Sequence, residues 1–254
     1  MLSKACWALF EQIWTVLPDA TLAKRRIADE CRATCGSCVR SDPDCRALVP
    51  APVDTAPIRS PQQLHTALLP RLTDKSVVEI GTRNGDGMAC FSQVARTAVA
   101  IELDKHYCTK LVARAAKLSR TVRKSFNVSC QDYRSGPIPD GDLYTWWQQP
   151  PNLKNNHVLR VLRQRQLEGQ IRSSAEVAIV FDRSYRADMG SYRSYMRKRW
   201  LHWSEDVQVD ENSLCYNRTK SQKLSATPVH LCRRARGTYT IAGMNLQNVS
   251  LEGL

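Results

Sequence analysis

Two carboxylates and a run of glycines carry the strongest chemical signal in this chain. Residues 76–87 read SVVEIGTRNGDG: Val77, Val78 and Ile80 form a short apolar run, and Gly81, Gly85 and Gly87 follow it at once. Such a run suits a strand buried in a parallel sheet, and the glycines suit a turn that lets backbone approach a ligand. The helix after a turn of this kind offers N–H groups to polar atoms. Glu79 stands just ahead of the turn, and Glu102 ends the next apolar run about 20 residues later. A carboxylate in that place can accept both hydroxyls of a ribose whose other atoms lie over the glycine turn.

The elements that must hold these residues alternate. A helix is expected from Pro61, with Leu64, Leu68 and Leu69 on one side and Pro70 closing it. After the glycine turn come a helix over 88–97, a strand over 98–101, and a long helix capped by Asp104, with Tyr107, Leu111, Val112, Ala115 and Leu118 spaced for one face. A third strand, 126–130, leads into Gln131, Asp132 and Tyr133, and a fourth covers 142–147. A basic helix over 153–170 crosses to a fifth strand, 176–181, ending at Asp182. Residues 206–211 and 238–244 read as an antiparallel pair at one sheet edge. The pattern predicts an α/β domain built on an open, mostly parallel, doubly wound sheet with an antiparallel edge strand.

Residues 1–60 read differently, as a helical, cysteine-rich N-terminal extension to a domain over 61–254. Trp7, Phe10, Trp14 and Leu17 recur at helical spacing, and Glu11 and Gln12 interrupt the apolar segment before it reaches the length of a secretory signal core. Cys31, Cys35, Cys38 and Cys45 could hold zinc, form two disulfides or stay as thiols, and no metal is assigned to them. The Pro- and Ala-rich residues 48–61 read as a linker. The even number of cysteines permits disulfides, and Cys130, in a strand, is as readily explained as a small buried hydrophobe. Sequons stand at Asn127, Asn217 and Asn248, but Asn127 falls in a strand expected to lie in the core, with no room for a glycan. No stretch is expected to cross a bilayer. The compartment stays open, with a soluble intracellular place favoured over the secretory pathway.

With Glu79, Gly81, Gly85 and Glu102 in place, residues 61–254 resemble the class I S-adenosylmethionine (SAM)-dependent methyltransferases. Glu79, Gly81 and Gly85 match their first motif, E/D-x-G-x-x-x-G, and Glu102 matches the acidic residue ending the next strand. The resemblance implies SAM as cofactor, with Asp132 and Tyr133 meeting its adenine and Arg83, where many members have glycine, contacting its carboxylate. It further implies methyl transfer to an acceptor that the sequence does not name. A nicotinamide dinucleotide fits less well: Arg83 interrupts the G-x-G-x-x-G pattern, and Glu79 would repel a pyrophosphate but suits a cationic sulfonium. Asp182, Tyr144 and Gln148, at or near strand ends, are the candidates to face the acceptor. Each has an alternative structural role, as a cap, a packed ring and a loop amide.

The 254 residues carry a net charge of +13, which favours anionic partners. Arg183, Arg186, Arg193, Arg197, Lys198 and Arg199 interleave with Tyr185, Tyr192 and Tyr195. This stripe could follow a nucleic-acid backbone while its rings stack on bases, or form a solvated helix whose tyrosines pack inward. It motivates a second reading, a catalytically silent methyltransferase-like module that binds nucleic acid or an acidic partner. The composition, 43% hydrophobic and 24% charged, is that of a folded domain. The absence of a nucleophile elbow leaves hydrolase chemistry without support, and the dispersed histidines show no metal-ligand spacing.

Overall fold

Val77 and Val78 are consecutive residues of one strand and both are buried, each in a different apolar cluster. Successive side chains of a strand point to opposite faces, so the sheet carries a core on each side, as parallel sheets require. The computed structural model describes residues 44–48, 61–121, 124–146, 153–218 and 229–254. They belong to one unit, Asp44–Leu254.

A short helix α1 (Cys45–Leu48) and α2 (Gln62–Leu72) precede β1 (Ser76–Ile80). Then follow α3 (Asp86–Val94), β2 (Thr97–Glu102), α4 (Lys105–Thr121), β3 (Asn127–Cys130), β4 (Leu143–Trp146), α5 (Leu153–Leu167), β5 (Glu176–Asp182) and α6 (Arg186–Arg197). Two long strands, β6 (Leu201–Arg218) and β7 (Val229–Asn245), lead to two 3-10 turns, Leu246–Asn248 and Leu251–Gly253. The seven strands lie in the order β3-β2-β1-β4-β5-β7-β6. β1 to β5 pair in parallel, β7 runs antiparallel to β5, and β6 runs antiparallel to β7. This is the expected sheet, with longer edge strands than the sequence signalled.

The order reverses between β1 and β4. Chain leaving β1 winds outward through β2 and β3, while β4 and β5 continue on the other side, so the carboxyl ends of β1 and β4 flank a crevice. Leu64, Leu68, Leu72, Met88, Phe91 and Leu111 cover one face through α2, α3 and α4. Val158, Leu159, Leu162 and Tyr195 cover the other through α5 and α6. A fully buried side chain of this size contributes about 1.5–3 kcal/mol. Asp142, just ahead of β4, fixes the opposite pole: its carboxylate accepts the Ser76 N–H at 2.7 Å and pairs with Arg96 at 2.6 Å and with Arg172.

Several local expectations give way to tertiary context. Pro70 does not close α2, which runs on to Leu72, where the Thr73 N–H reaches the Leu69 carbonyl at 3.1 Å. Proline removes one N–H and crowds the carbonyl of residue i−4, and α2 nevertheless continues two residues past it. Val112 is half exposed, because α4 covers an outer part of the sheet and buries a narrow stripe centred on Cys108 and Leu111. Asn127 is exposed rather than in the core, since β3 is an edge strand. Cys130 is no buried hydrophobe: it forms a disulfide with Cys108, Cα–Cα 5.7 Å. Cys45 is bonded to Cys90 of α3, Cα–Cα 5.4 Å, which draws α1 from the expected N-terminal extension onto the domain. Cys31, Cys35 and Cys38, the N-terminal amphipathic segment and the linker lie outside the described residues.

The Cys45–Cys90 bond closes a long loop, with a sequence separation of 45. Cys45→Ala should lower the unfolding free energy by about 2–4 kcal/mol. Denaturant titration with and without dithiothreitol checks this: the reductant should lower the midpoint of the natural chain more than that of the variant.

Candidate functional site

The turn between β1 and α3 is held from within. Gly81 and Gly85 take left-handed φ of 72° and 76°, and the Gly81 N–H bonds the Ile101 carbonyl of β2 at 2.8 Å. A Cβ on Gly85 would meet Leu111 Cδ2 at 2.6 Å, so α4 packs where only hydrogen fits. Arg83 also has positive φ, 55°, a position that costs a non-glycine residue about 1–2 kcal/mol. Its N–H donates to Glu102 Oε2 at 2.7 Å, and its guanidinium lies over the Tyr107 ring with a 3.1 Å bond to the phenol oxygen. Gly85 N–H reaches the Thr82 carbonyl at 3.2 Å. Three N–H groups of the turn are thus occupied by protein acceptors.

Glu102 ends β2, nearly buried, with its second oxygen accepting the Asp104 N–H at 2.9 Å. Asp104 in turn caps α4 through the N–H groups of His106 and Tyr107. Arg114 of α4 straps the turn from below, donating to the Asn84 carbonyl at 2.7 Å and to Asp86 at 2.6 Å. Asp86 therefore places a paired, buried carboxylate in the first turn of α3.

Above these strand ends lies a cavity of about 450 Å³, within the usual size of a small-ligand site. Its wall is assembled from the ends of three neighbouring strands: Ile80 and Gly81 after β1, Ile101 to Leu103 after β2, and Gln131 to Arg134 after β3, with His157 from α5. Gly81, Glu102, Asp132 and Tyr133 of the anticipated site meet here. Asp132 is folded back on Arg134, whose guanidinium and N–H hold its carboxyl below the usual carboxylate range. Tyr133 shares a 2.9 Å bond with His157 Nδ1, and burial raises its phenol above the ordinary range.

Glu79, Arg83 and Gly85 stand elsewhere. Glu79 is buried beneath the turn, where its Oε1 and His65 Nε2 each lie 3.1 Å from the position of a Cβ on Gly87. Gln62 and Thr145 are also fully buried in the domain. Gln62 holds His65 Nδ1 at 3.1 Å, and Thr145 is the register partner of Glu79. Burial, helped by the Arg114 charge, pushes His65 down to about 3, so the ring is neutral.

No family model and no curated protein matches the chain by sequence. Solved structures do match by shape. The precorrin-6Y C5,15-methyltransferase of Geobacter metallireducens shares 12% identity over 75% of this chain and 92% of its own, with a TM-score of 0.51. A protein of Pyrococcus horikoshii assigned as an RNA methyltransferase shares 14% over 81% of this chain and 98% of its own, with a TM-score of 0.52. The fold of this chain is the methyltransferase fold. Identity this low speaks for the fold alone, since one fold hosts many activities.

The acceptor-side candidates fare unequally on this methyltransferase fold. Tyr144 cannot face an acceptor: it is fully buried, and its phenol donates to the Pro139 carbonyl and accepts from the Gly141 N–H, both at 2.8 Å. Burial raises that phenol strongly, as befits a structural hydroxyl. Asp182 sits at the carboxyl end of β5, where Oδ1 accepts the Ser184 N–H at 2.8 Å and its hydroxyl at 2.6 Å. Gln148 lies outside the described residues. In the basic stripe, Tyr195 is buried and stacked on Trp200, and Tyr192 packs edge-on against Phe181, which removes two of three rings from any stacking platform. His157 went unsignalled in the sequence, because only the fold brings α5 over the end of β3, and Arg134 and Leu103 went unsignalled although each adjoins a named residue. Gln131 was already placed by the sequence as the residue leading from the third strand into Asp132.

The unfolded His65 titrates near its ordinary value of about 6.5. Between there and about 3 the unfolded chain binds a proton that the native chain refuses. Stability is therefore full above about 6.5 and falls as pH drops toward 3. His65→Gln should flatten this slope, a difference on the order of a few kcal/mol, read as urea midpoints at about pH 7 and about pH 4.5 for both proteins.

Proposed function

We infer that the chain is a SAM-dependent methyltransferase that binds SAM in the cavity at the ends of β1, β2 and β3. The observation that carries this reading is the state of the glycine turn. The N–H groups of Gly81, Arg83 and Gly85 already serve protein acceptors, and the Asp86 carboxylate lies at the start of α3. A pyrophosphate needs those donors and that helix end, so a dinucleotide is poorly served. SAM needs neither, being a cationic nucleoside without phosphate.

The residues present fit it. Each Glu102 oxygen accepts one backbone N–H and retains a lone pair, which suits the two hydroxyls of a ribose. Ile80, Ile101, Leu103 and Tyr133 give the cavity the apolar surface that a purine requires. Bound there, SAM supplies an electrophilic methyl group on a sulfonium. The protein's task is then to orient the donor, exclude water and hold the acceptor in line. Glu79, buried below the turn, contributes negative potential near a sulfonium and shapes the turn through its contact with Gly87. Arg83, directed onto Tyr107, holds the turn's outer edge, and Asp132 is poised to exchange Arg134 for an adenine amino group. Asp182, at the end of β5, is the carboxylate that could take a proton from the acceptor. The net charge of +13 supports an anionic acceptor.

Calorimetry with S-adenosylhomocysteine tests the reading. The natural chain should bind, and Glu102→Ala should weaken binding by about tenfold or more, the loss of about 1.4 kcal/mol that a hydrogen bond to a charged group supplies. Heat with NADH and none with S-adenosylhomocysteine would overturn it.

A further inference from the structure

Four of the six cysteines among the described residues are joined in disulfides. Cys45 is bonded to Cys90 and Cys108 to Cys130, while Cys215 and Cys232 occupy directly opposed register positions of β6 and β7. Cysteines kept as thiols have no reason to sort two by two, and disulfides persist where the surroundings are oxidising. Cys130 makes the point locally. It stands at the end of an exposed edge strand, where a small hydrophobe gains little, and its bond instead ties β3 to the first turns of α4.

Two of the three sequons, those at Asn127 and Asn248, lie wholly among the described residues of this domain. Asn127-Val128-Ser129 lies on β3, where Asn127 is exposed and shares a strand face with Ser129, while Val128 packs inward against the cluster under α4. Asn248-Val249-Ser250 lies in the turn after β7. There Leu246 and Val249 are buried and anchor the turn, and Asn248 and Ser250 face outward. The two asparagines also share a pole of the sheet. Asn127 opens β3 three residues ahead of the Cys130 end, and Leu246 bonds the Ala175 carbonyl just ahead of β5. The ligand cavity lies at the opposite pole, beyond Ile80, Glu102 and Gln131. Bulky hydrophilic chains on Asn127 and Asn248 would leave it open, and one on Asn127 would also shield an edge strand from pairing with another chain.

We propose that this protein matures in an oxidising, glycosylating compartment and carries N-linked glycans on Asn127 and Asn248. The substrate for the modification is a lipid-pyrophosphate-linked oligosaccharide. The bond from the asparagine amide nitrogen to the sugar's anomeric carbon forms, the bond from that carbon to the pyrophosphate oxygen breaks, and the amide proton leaves with the lipid pyrophosphate. The hydroxyls of Ser129 and Ser250 complete the two acceptor motifs. This assignment is independent of methyl transfer, and its readouts are glycans and thiols.

The test is expression of the full chain, with its own N-terminus, in cultured insect cells, followed by intact-mass and non-reducing peptide mapping before and after peptide-N-glycosidase F. Glycans should be released from Asn127 and Asn248, and Cys45–Cys90 and Cys108–Cys130 should be recovered as linked peptides that resist alkylation. Asn127→Gln and Asn248→Gln should each remove one glycan. Ser129→Ala and Ser250→Ala should do the same with the asparagines left in place, which separates loss of the motif from misfolding. A chain recovered with Cys108 and Cys130 alkylated and no glycan would overturn the proposal. So would linked cysteines with Asn127 and Asn248 both unmodified.

Discussion

The two hydrogen bonds of Glu102, to the N–H of Arg83 and to the N–H of Asp104, hold the site together. One carboxylate thereby fixes the glycine turn leaving β1 and the entry to α4 leaving β2. A nearly buried carboxylate must be satisfied or it destabilises the fold, and here the groups that satisfy it are those that must be positioned for a ligand. The cavity wall follows from that tie, since Gly81, Glu102 and Leu103 meet there. The same interaction gives the backbone strain at Arg83 a cause: the turn adopts left-handed geometry at a non-glycine residue because its N–H is drawn to the carboxylate.

Below the turn, a second polar layer supports the first. Arg114 reaches from α4 to the Asn84 carbonyl and to Asp86, while His65, Glu79 and Gly87 crowd together under the backbone. A short side chain at 87 would press on both polar groups, so the glycine there answers to packing, not to ligand approach. The two layers hold the turn through contacts within the protein.

The disulfides act at the margins of the same frame. One ties α1 to α3, and the other ties the start of α4 to the end of β3, next to the Gln131 and Asp132 side of the cavity. β3 is short and pairs on one side only, so a covalent bond to α4 compensates for the partner strand it lacks. The cysteines thus stabilise the outer strand whose end supplies Gln131 to Arg134 of the cavity wall.

By itself the sequence determined the alternation of strands and helices, the glycine turn, the Asp104 cap and the placing of Gly81, Glu102, Asp132 and Tyr133 at strand ends. These are local matters: periodicity, capping and glycine conformation act over a few residues and leave their mark in the chain. Only the tertiary structure decided that Tyr144 is buried, that Asn127 is at an edge, that Cys45 and Cys130 have partners at Cys90 and Cys108, and that His157 reaches the cavity. Each of those depends on strand order or on contacts between distant segments. Apolar runs in edge and central strands read alike, and a hydroxyl aimed inward has the same letter as one aimed at a ligand.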